Sequence, residues 1–183
     1  MNFKTLSIII PAYNEEKTIH FILDKVKAVK LNGELAKQVI IVNDCSSDDT
    51  KGAVEKYISA NSELNITYYE HEVNKGKGAA LHTGIKKAQG DLLIIQDADL
   101  EYDPEEYNDL LKPMLGGHAD VVYGSRFLGG NPHRILFYWH SIGNKLLTRW
   151  SNRFTNLNLT DMETCYKLFK TDIIQDMRLN ENR

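Results

Sequence analysis

Cysteine is scarce in this chain. The two present, Cys45 and Cys165, lie 120 positions apart with no Cys-x-x-Cys spacing, which argues against a zinc knuckle and a dense disulfide framework and suits a reducing cytosol. Long hydrophobic runs are also missing. No stretch approaches the roughly 18 apolar residues of a membrane span, and residues 1–11 lack the charged, apolar and cleavage-site regions of a signal peptide. A cytoplasmic location is the expectation. No internal repeat or low-complexity tract is found, so solenoids and disordered arrays drop out. Lys and Arg number 22 against 25 Asp and Glu, a formal charge of −3, which argues against a general nucleic-acid coat.

What the chain does have is an ordinary globular composition, 42% hydrophobic and 26% charged over 183 residues. That fits one domain, 1–183, at the usual allowance of about 100–200 residues per domain. Leu6 to Ile10 is a β-branched apolar run stopped by Pro11, and similar runs recur at Val39–Val42 and Leu92–Ile95. Such runs read as strands buried on both faces, hence parallel. Between them, Ile19, Ile22, Leu23, Val26 and Val29 give Glu15–Lys30 a helical spacing, and Ala53, Val54, Tyr57 and Ile58 do the same for Asp48–Ala60. A strand at Asn65–Tyr69, helices at Gly78–Gln89 and Pro104–Leu115, and a strand at Asp120–Tyr123 continue the alternation. The class is α/β, a Rossmann-like, mostly parallel central sheet flanked by helices. Beyond Gly124 the reading is a loop at Gly129–Pro132, an amphipathic helix at His140–Phe154, a strand at Cys165–Phe169 and a last helix at Asp172–Met177. This ending suits the N-terminal part of a longer chain.

Open α/β sheets bind ligands beyond the carboxyl ends of their strands, and those positions are polar here. Pro11 to Glu15 follows the first strand, Asn43 to Asp48 the second, and Gln96 to Glu101 the fourth. In Asp97-x-Asp99-x-Glu101, an extended backbone would point all three carboxylates to one side, where a hard divalent cation, magnesium or manganese, would offset their repulsion. The alternative is that Asp97 or Asp99 caps the next helix, although Asp103 already suits that N-cap. Asn74-Lys75-Gly76-Lys77-Gly78 precedes a helix and reads either as an anion site or as a mobile turn. It fits neither the nucleoside-triphosphatase loop nor the dinucleotide fingerprint. The histidines His20, His82, His118, His133 and His140 show no ligand spacing and read as surface or packing residues.

Ser7–Glu15, Asn43–Thr50, Asn74–Ala79, Asp97-Ala98-Asp99 and Gly124-Ser125-Arg126, taken in that order, resemble the family 2 glycosyltransferases of GT-A fold. The nearest branch is that of the dolichol- and polyprenyl-phosphate mannose synthases. The resemblance implies that Pro11, Ala12, Tyr13 and Glu15 line a base pocket and that Asp44 accepts from a ring N–H of the base. Lys75, Gly76, Asp97 and Ala98 complete the implied nucleotide-binding set. Asp97, Asp99 and Glu101 would hold Mg2+ or Mn2+ on the diphosphate of a UDP- or GDP-linked sugar. Asp99, Arg126 and Asp161 are the implied catalytic residues, with Asp161-Met-Glu-Thr-Cys-Tyr-Lys-Leu-Phe169 resembling the family's segment near the reaction centre. Asn43 and Cys45 stand where the family usually has Asp and Gly, and Thr164 and Cys165 where it has Ser and Gly.

The implied activity is inverting transfer of a sugar to an acceptor. A nucleotidyltransferase or a non-catalytic nucleotide-binding module are the rivals, and the former would carry a basic glycine-rich loop where Ala12 to Glu15 stands. Charge placement bears on the acceptor. Residues 91–120 hold nine acids and one base, whereas 121–160 hold no acid and five bases, Arg126, Arg134, Lys145, Arg149 and Arg153, interleaved with aromatics. Either this is a solvated basic helix, or it serves an anionic lipid acceptor at a membrane surface. The expected acceptor is a polyprenyl phosphate held by Arg126 and Arg134, with a sugar hydroxyl as the alternative.

Overall fold

A computed structural model describes residues 3–126 and 138–182; Arg134 and the loop expected at 129–132 lie outside the described residues. The elements are β1 Thr5–Ala12, α1 Ile19–Ala28, β2 Ala36–Asn43, α2 Thr50–Ala60, β3 Ile66–Glu70, α3 Lys77–Lys87, β4 Leu92–Ile95, α4 Tyr107–Leu115, β5 Val121–Tyr123, α5 Tyr138–Thr155, β6 Lys167–Lys170 and α6 Thr171–Asp176. The sheet order is β3-β2-β1-β4-β6-β5. β1 lies parallel to both β2 and β4, and β2 parallel to β3, while β6 runs antiparallel between β4 and β5. A helical crossover is the usual way to join parallel neighbours, and the strand–helix alternation supplies one.

Leu6, Ile8, Ile9 and Ile10 are fully buried because helices cover both faces of the sheet. Leu6, Ile8 and Ile10 pack with Ile22, Leu23 and Val26 of α1 and with Leu111 of α4. Ile9, Ile40 and Val42 pack on the opposite face with Ala80 and Ile85 of α3 and Ile174 of α6. The period-2 alternation within β1 thus divides the core into two layers.

Several expected boundaries move for local reasons. Helix α1 begins at Ile19 rather than Glu15, and the Glu15 and Glu16 N–H groups before it donate to Thr50 Oγ1 and Asp48 Oδ2 across the loop. The helix expected at Pro104–Leu115 opens with a 3-10 turn, Pro104–Glu106, and Asp103 caps it by accepting from Glu105 N–H. Strand β6 starts two residues later than expected, at Lys167.

Helix α3 approaches β1 through Gly84, where an added Cβ would stand 2.4 Å from Ile9 Cγ2 and 3.2 Å from its Cδ1. Gly84→Ala gains about 1 kcal/mol of helix propensity but overpacks a closed layer at roughly 1–3 kcal/mol. The expected result is a lower urea midpoint with an unchanged m-value; a raised midpoint would show that the layer yields.

Candidate functional site

Because β1, β2 and β4 run the same way, their carboxyl ends meet at one edge. There a cavity of about 360 Å³ is lined by Pro11, Ala12, Tyr13 and Glu15 after β1, Asp44 after β2, Asn74, Gly76, Lys77 and Ala80 around the start of α3, and Asp97, Ala98 and Asp99 after β4. The structure therefore gathers nearly all of the expected nucleotide-side residues around one space. Lys75 takes part through its backbone alone, and Glu101, Arg126 and Asp161 are not in the lining.

The first two loops are laced together. Asn14, at φ 59°, donates its N–H to Ser46 Oγ (2.9 Å) and accepts from Ser47 N–H on its side-chain oxygen (2.8 Å). This sets the half-exposed Tyr13 ring at the cavity mouth. Asn43, in the family's usual Asp position, accepts from Ser46 N–H at 3.1 Å, and its amide donates to Tyr68 OH. Cys45 sits at φ 57°, the left-handed region that glycine enters freely and that costs other residues about 1–2 kcal/mol. The turn is thus the one a glycine would make.

Asp44 is buried and accepts from the N–H groups of Lys75 (3.0 Å) and Gly76 (2.6 Å) and from His71 Nδ1 (2.6 Å). An ionised carboxylate only accepts, so Nδ1 carries the proton; His71 Nε2 lies 2.9 Å from Thr83 Oγ1. Burial alone would raise the Asp44 pKa, but these hydrogen bonds outweigh it and hold the carboxyl below its ordinary range. The anion that the Lys75–Gly76 turn holds is therefore the protein's own Asp44. Ala79 N–H at the start of α3 likewise donates to Asn182 O. The sequence reading passed over His71, although it directly follows β3, the position the strand-end rule marks.

The extended Asp97-x-Asp99-x-Glu101 arrangement is not formed. β4 ends at Ile95, Asp99 accepts from Glu101 N–H (3.0 Å), and Leu100 turns at φ 61°, so the period-2 argument that joined Glu101 to the others does not apply. Among the described residues no three His, Cys, Asp or Glu side chains are grouped to hold a metal ion. Two carboxylates remain at the cavity. Asp97 Oδ1 is buried, and its charged partner is the Lys77 ammonium at 2.6 Å. Burial and the neighbouring Asp97 and Glu101 carboxylates raise the Asp99 pKa. Two hard carboxylate oxygens side by side, one of them held only by the flexible Lys77 ammonium, would suit a hard divalent cation at Asp97 and Asp99. Beneath this loop, buried Gln96 donates to Asp97 O and Tyr102 O and accepts from Tyr107 OH and Tyr166 OH. Burial first and the neighbouring Asp97 carboxylate second push the Cys165 pKa up to about 11.

Arg126 and Asp161 form a unit of their own. Asp161 Oδ2 accepts from Arg126 N–H and Nε, and Oδ1 accepts from the Arg126 guanidinium (2.9 Å) and Asn144 Nδ2 (2.6 Å). A carboxylate has about four lone-pair sites, and all are taken. That leaves Asp161 no free lone pair with which to accept a proton. Burial would raise its pKa, yet Arg126 and Asn144 hold it low.

Residues 7–178 match the family model for glycosyl transferase family 2. The chain belongs to that family. The dodecaprenyl-phosphate galacturonate synthase of Rhizobium johnstonii is 25% identical over 174 residues, 95% of this chain and 50% of that protein. The dolichol-phosphate mannosyltransferase of Pyrococcus furiosus is 31% identical over 134 residues, 73% and 36%. Among solved structures, S. aureus TarS 1-349 matches with a TM-score of 0.64 at 25% identity, covering 94% of this chain and 48% of that one. The family 2 chain thus spans half or less of the length of these relatives, and its sheet has the GT-A architecture.

The folded pKa of Asp161 lies below its unfolded value, so its stabilisation is complete above the ordinary aspartate value of about 3.9 and is lost as pH falls through the lower folded value. Asp161→Asn is expected to cost about 2–3 kcal/mol at neutral pH in urea titrations, with the gap from wild type closing in acid. A gap of constant size would contradict the pairing.

Proposed function

We propose that this family 2 chain carries the donor half of an inverting glycosyltransferase, which moves a sugar from a nucleoside diphosphate to a polyprenyl phosphate. The observation that supports it most is the cavity that Tyr13 and Asp44 line together with Asp97 and Asp99. Tyr13 offers a face for a base, and Asp44 has a lone pair left on Oδ2, which accepts one bond from the chain, for a ring N–H of uracil or guanine. A divalent cation, Mg2+ or Mn2+, held by Asp97 and Asp99 would offset the charge that develops on the leaving diphosphate. An acceptor phosphate oxygen forms the new bond to the sugar C1 while the C1–O bond to the diphosphate breaks, and the departing nucleoside diphosphate keeps the electron pair.

The acceptor reading rests on Asp161. A sugar hydroxyl needs a base to take its proton, for which this segment offers Asp161 and Glu163, and Asp161, the foremost of the two, has no free lone pair. A phosphate is already anionic and needs none. Arg126 remains the candidate phosphate contact, held in position by Asp161, with Arg134 as the second. Two named relatives, a dodecaprenyl-phosphate and a dolichol-phosphate enzyme, agree in chemistry.

Peripheral membrane contact belongs to the same reading. No described helix is long and apolar enough to cross a membrane, but α5 exposes Trp139, Leu146, Trp150 and Phe154 in a stripe of helical spacing. Lys145, Arg149 and Arg153 lie on the same helix, the composition of an interfacial segment.

Asp99→Asn is nearly isosteric and should keep the fold while abolishing manganese-dependent binding of UDP and GDP in calorimetry; undiminished binding would overturn the cation assignment. Transfer of labelled sugar to short-chain polyprenyl phosphate by the full-length protein is expected to fall at least about tenfold in Arg134→Ala. Transfer to sugar hydroxyls with the lipid phosphate ignored would overturn the acceptor.

A further inference from the structure

Lys77 has a place in the cavity that neither the motif nor the proposed reaction explains. It is the first residue of α3, directly after Gly76, whose φ of 94° and N–H bond to Asp44 Oδ2 at 2.6 Å fix where the helix starts. From that anchor on the β2 side, its side chain crosses to the β4 side and brings Nζ to 2.6 Å from Asp97 Oδ1. The two partners differ in freedom. The Lys77 side chain is 52% exposed and the Asp97 side chain 10%. Asp97 Oδ1 has no hydrogen bond from any other group. The ammonium therefore stands on the very oxygen that the proposed cation would use, at the end of a flexible four-carbon stem.

We infer that Lys77 is an electrostatic latch, occupying Asp97 until a cation and a nucleoside diphosphate arrive together. The inference rests on the cation reading of Asp97 and Asp99 given above. Two positive charges on one carboxylate oxygen repel, so a cation arriving alone must displace the ammonium into the cavity with no new partner. A nucleoside diphosphate supplies that partner, because Lys77 lines the same space and an ammonium pairs with phosphate as a point charge. The cation frees Lys77 for the diphosphate, and the diphosphate compensates Lys77 for leaving Asp97. Each ligand thereby favours the other by the same factor, as linkage requires. Lys77 is a positioning residue for the donor, and its effect on nucleotide affinity appears only when the cation is present. A lysine that merely bound phosphate would act with or without metal.

The test uses the 183-residue chain, with Mn2+ alone followed by electron paramagnetic resonance, then UDP and GDP titrated calorimetrically in saturating Mn2+ and in chelator. Lys77→Met removes the charge, and Lys77→Gln removes it while keeping a donor for Asp97, so a folding defect of one is checked against the other. Both variants are expected to bind Mn2+ alone at least about fivefold tighter than wild type. They should bind the nucleotides at least about fivefold weaker in Mn2+, with no change in chelator. Unchanged Mn2+ affinity in the folded variants overturns the latch, as does an equal loss of nucleotide affinity with and without metal. If Mn2+ binding is abolished by Asp99→Asn but indifferent to Lys77, the latch alone fails. If Mn2+ binds neither wild type nor any variant, the cation reading fails and takes the latch with it.

Discussion

Parallel pairing of β1 with both β2 and β4 is the constraint on which the rest depends. A parallel pair cannot close through a hairpin; its chain must return along a face of the sheet, and helices do this here. Covering both faces demands strands apolar on both sides, which is why Leu6 to Ile10 has no polar residue except Ser7. Ser7 is itself buried and bonded to Gln38 at 2.7 Å. The same pairing brings three strand ends to one edge, so the polar residues that cannot enter the core line a common space.

The antiparallel β6 does different work. By running back between β4 and β5 it carries Tyr166 and Cys165 under the loop that follows β4. There Tyr166 and Tyr107 both donate to Gln96, and Cys165 meets Asp97. Gln96 uses both amide hydrogens and accepts twice, so it can be fully buried without an unsatisfied group. The turn bearing Asp97 and Asp99 is thus supported from distant parts of the chain rather than by its own sequence.

Local periodicity made much of this legible. Apolar runs located β1, β2 and β4, helical spacing located α1 and α2, the alternation located α3 and α4, and the strand-end rule gathered Pro11 to Glu15, Asp44, Asp97 and Asp99 at one edge. Where sequence reading erred, the cause was a bond between residues far apart or a backbone torsion. Glu101 was grouped with Asp97 and Asp99 on an extended geometry that Leu100 breaks at φ 61°. The pairing of Asp161 with Arg126, 35 positions earlier, could not be read from either segment alone. His71 was overlooked because its partners, Asp44 and Thr83, lie 27 and 12 positions away. Composition and spacing report faces and turns; they do not report which lone pairs are already taken.

Asp44 has one more consequence, in the kinetics of opening. It joins the end of β2 to the residue after β3 and to the turn that begins α3, all through one buried side chain. The Lys75 and Gly76 amides stand in a loop, where exchange with solvent deuterium would ordinarily be fast. Bonded to Asp44, they can exchange only when that carboxylate lets go, so their protection follows the sheet edge instead of the loop. One wall of the cavity is therefore tied, through a single buried carboxylate, to the edge of the sheet.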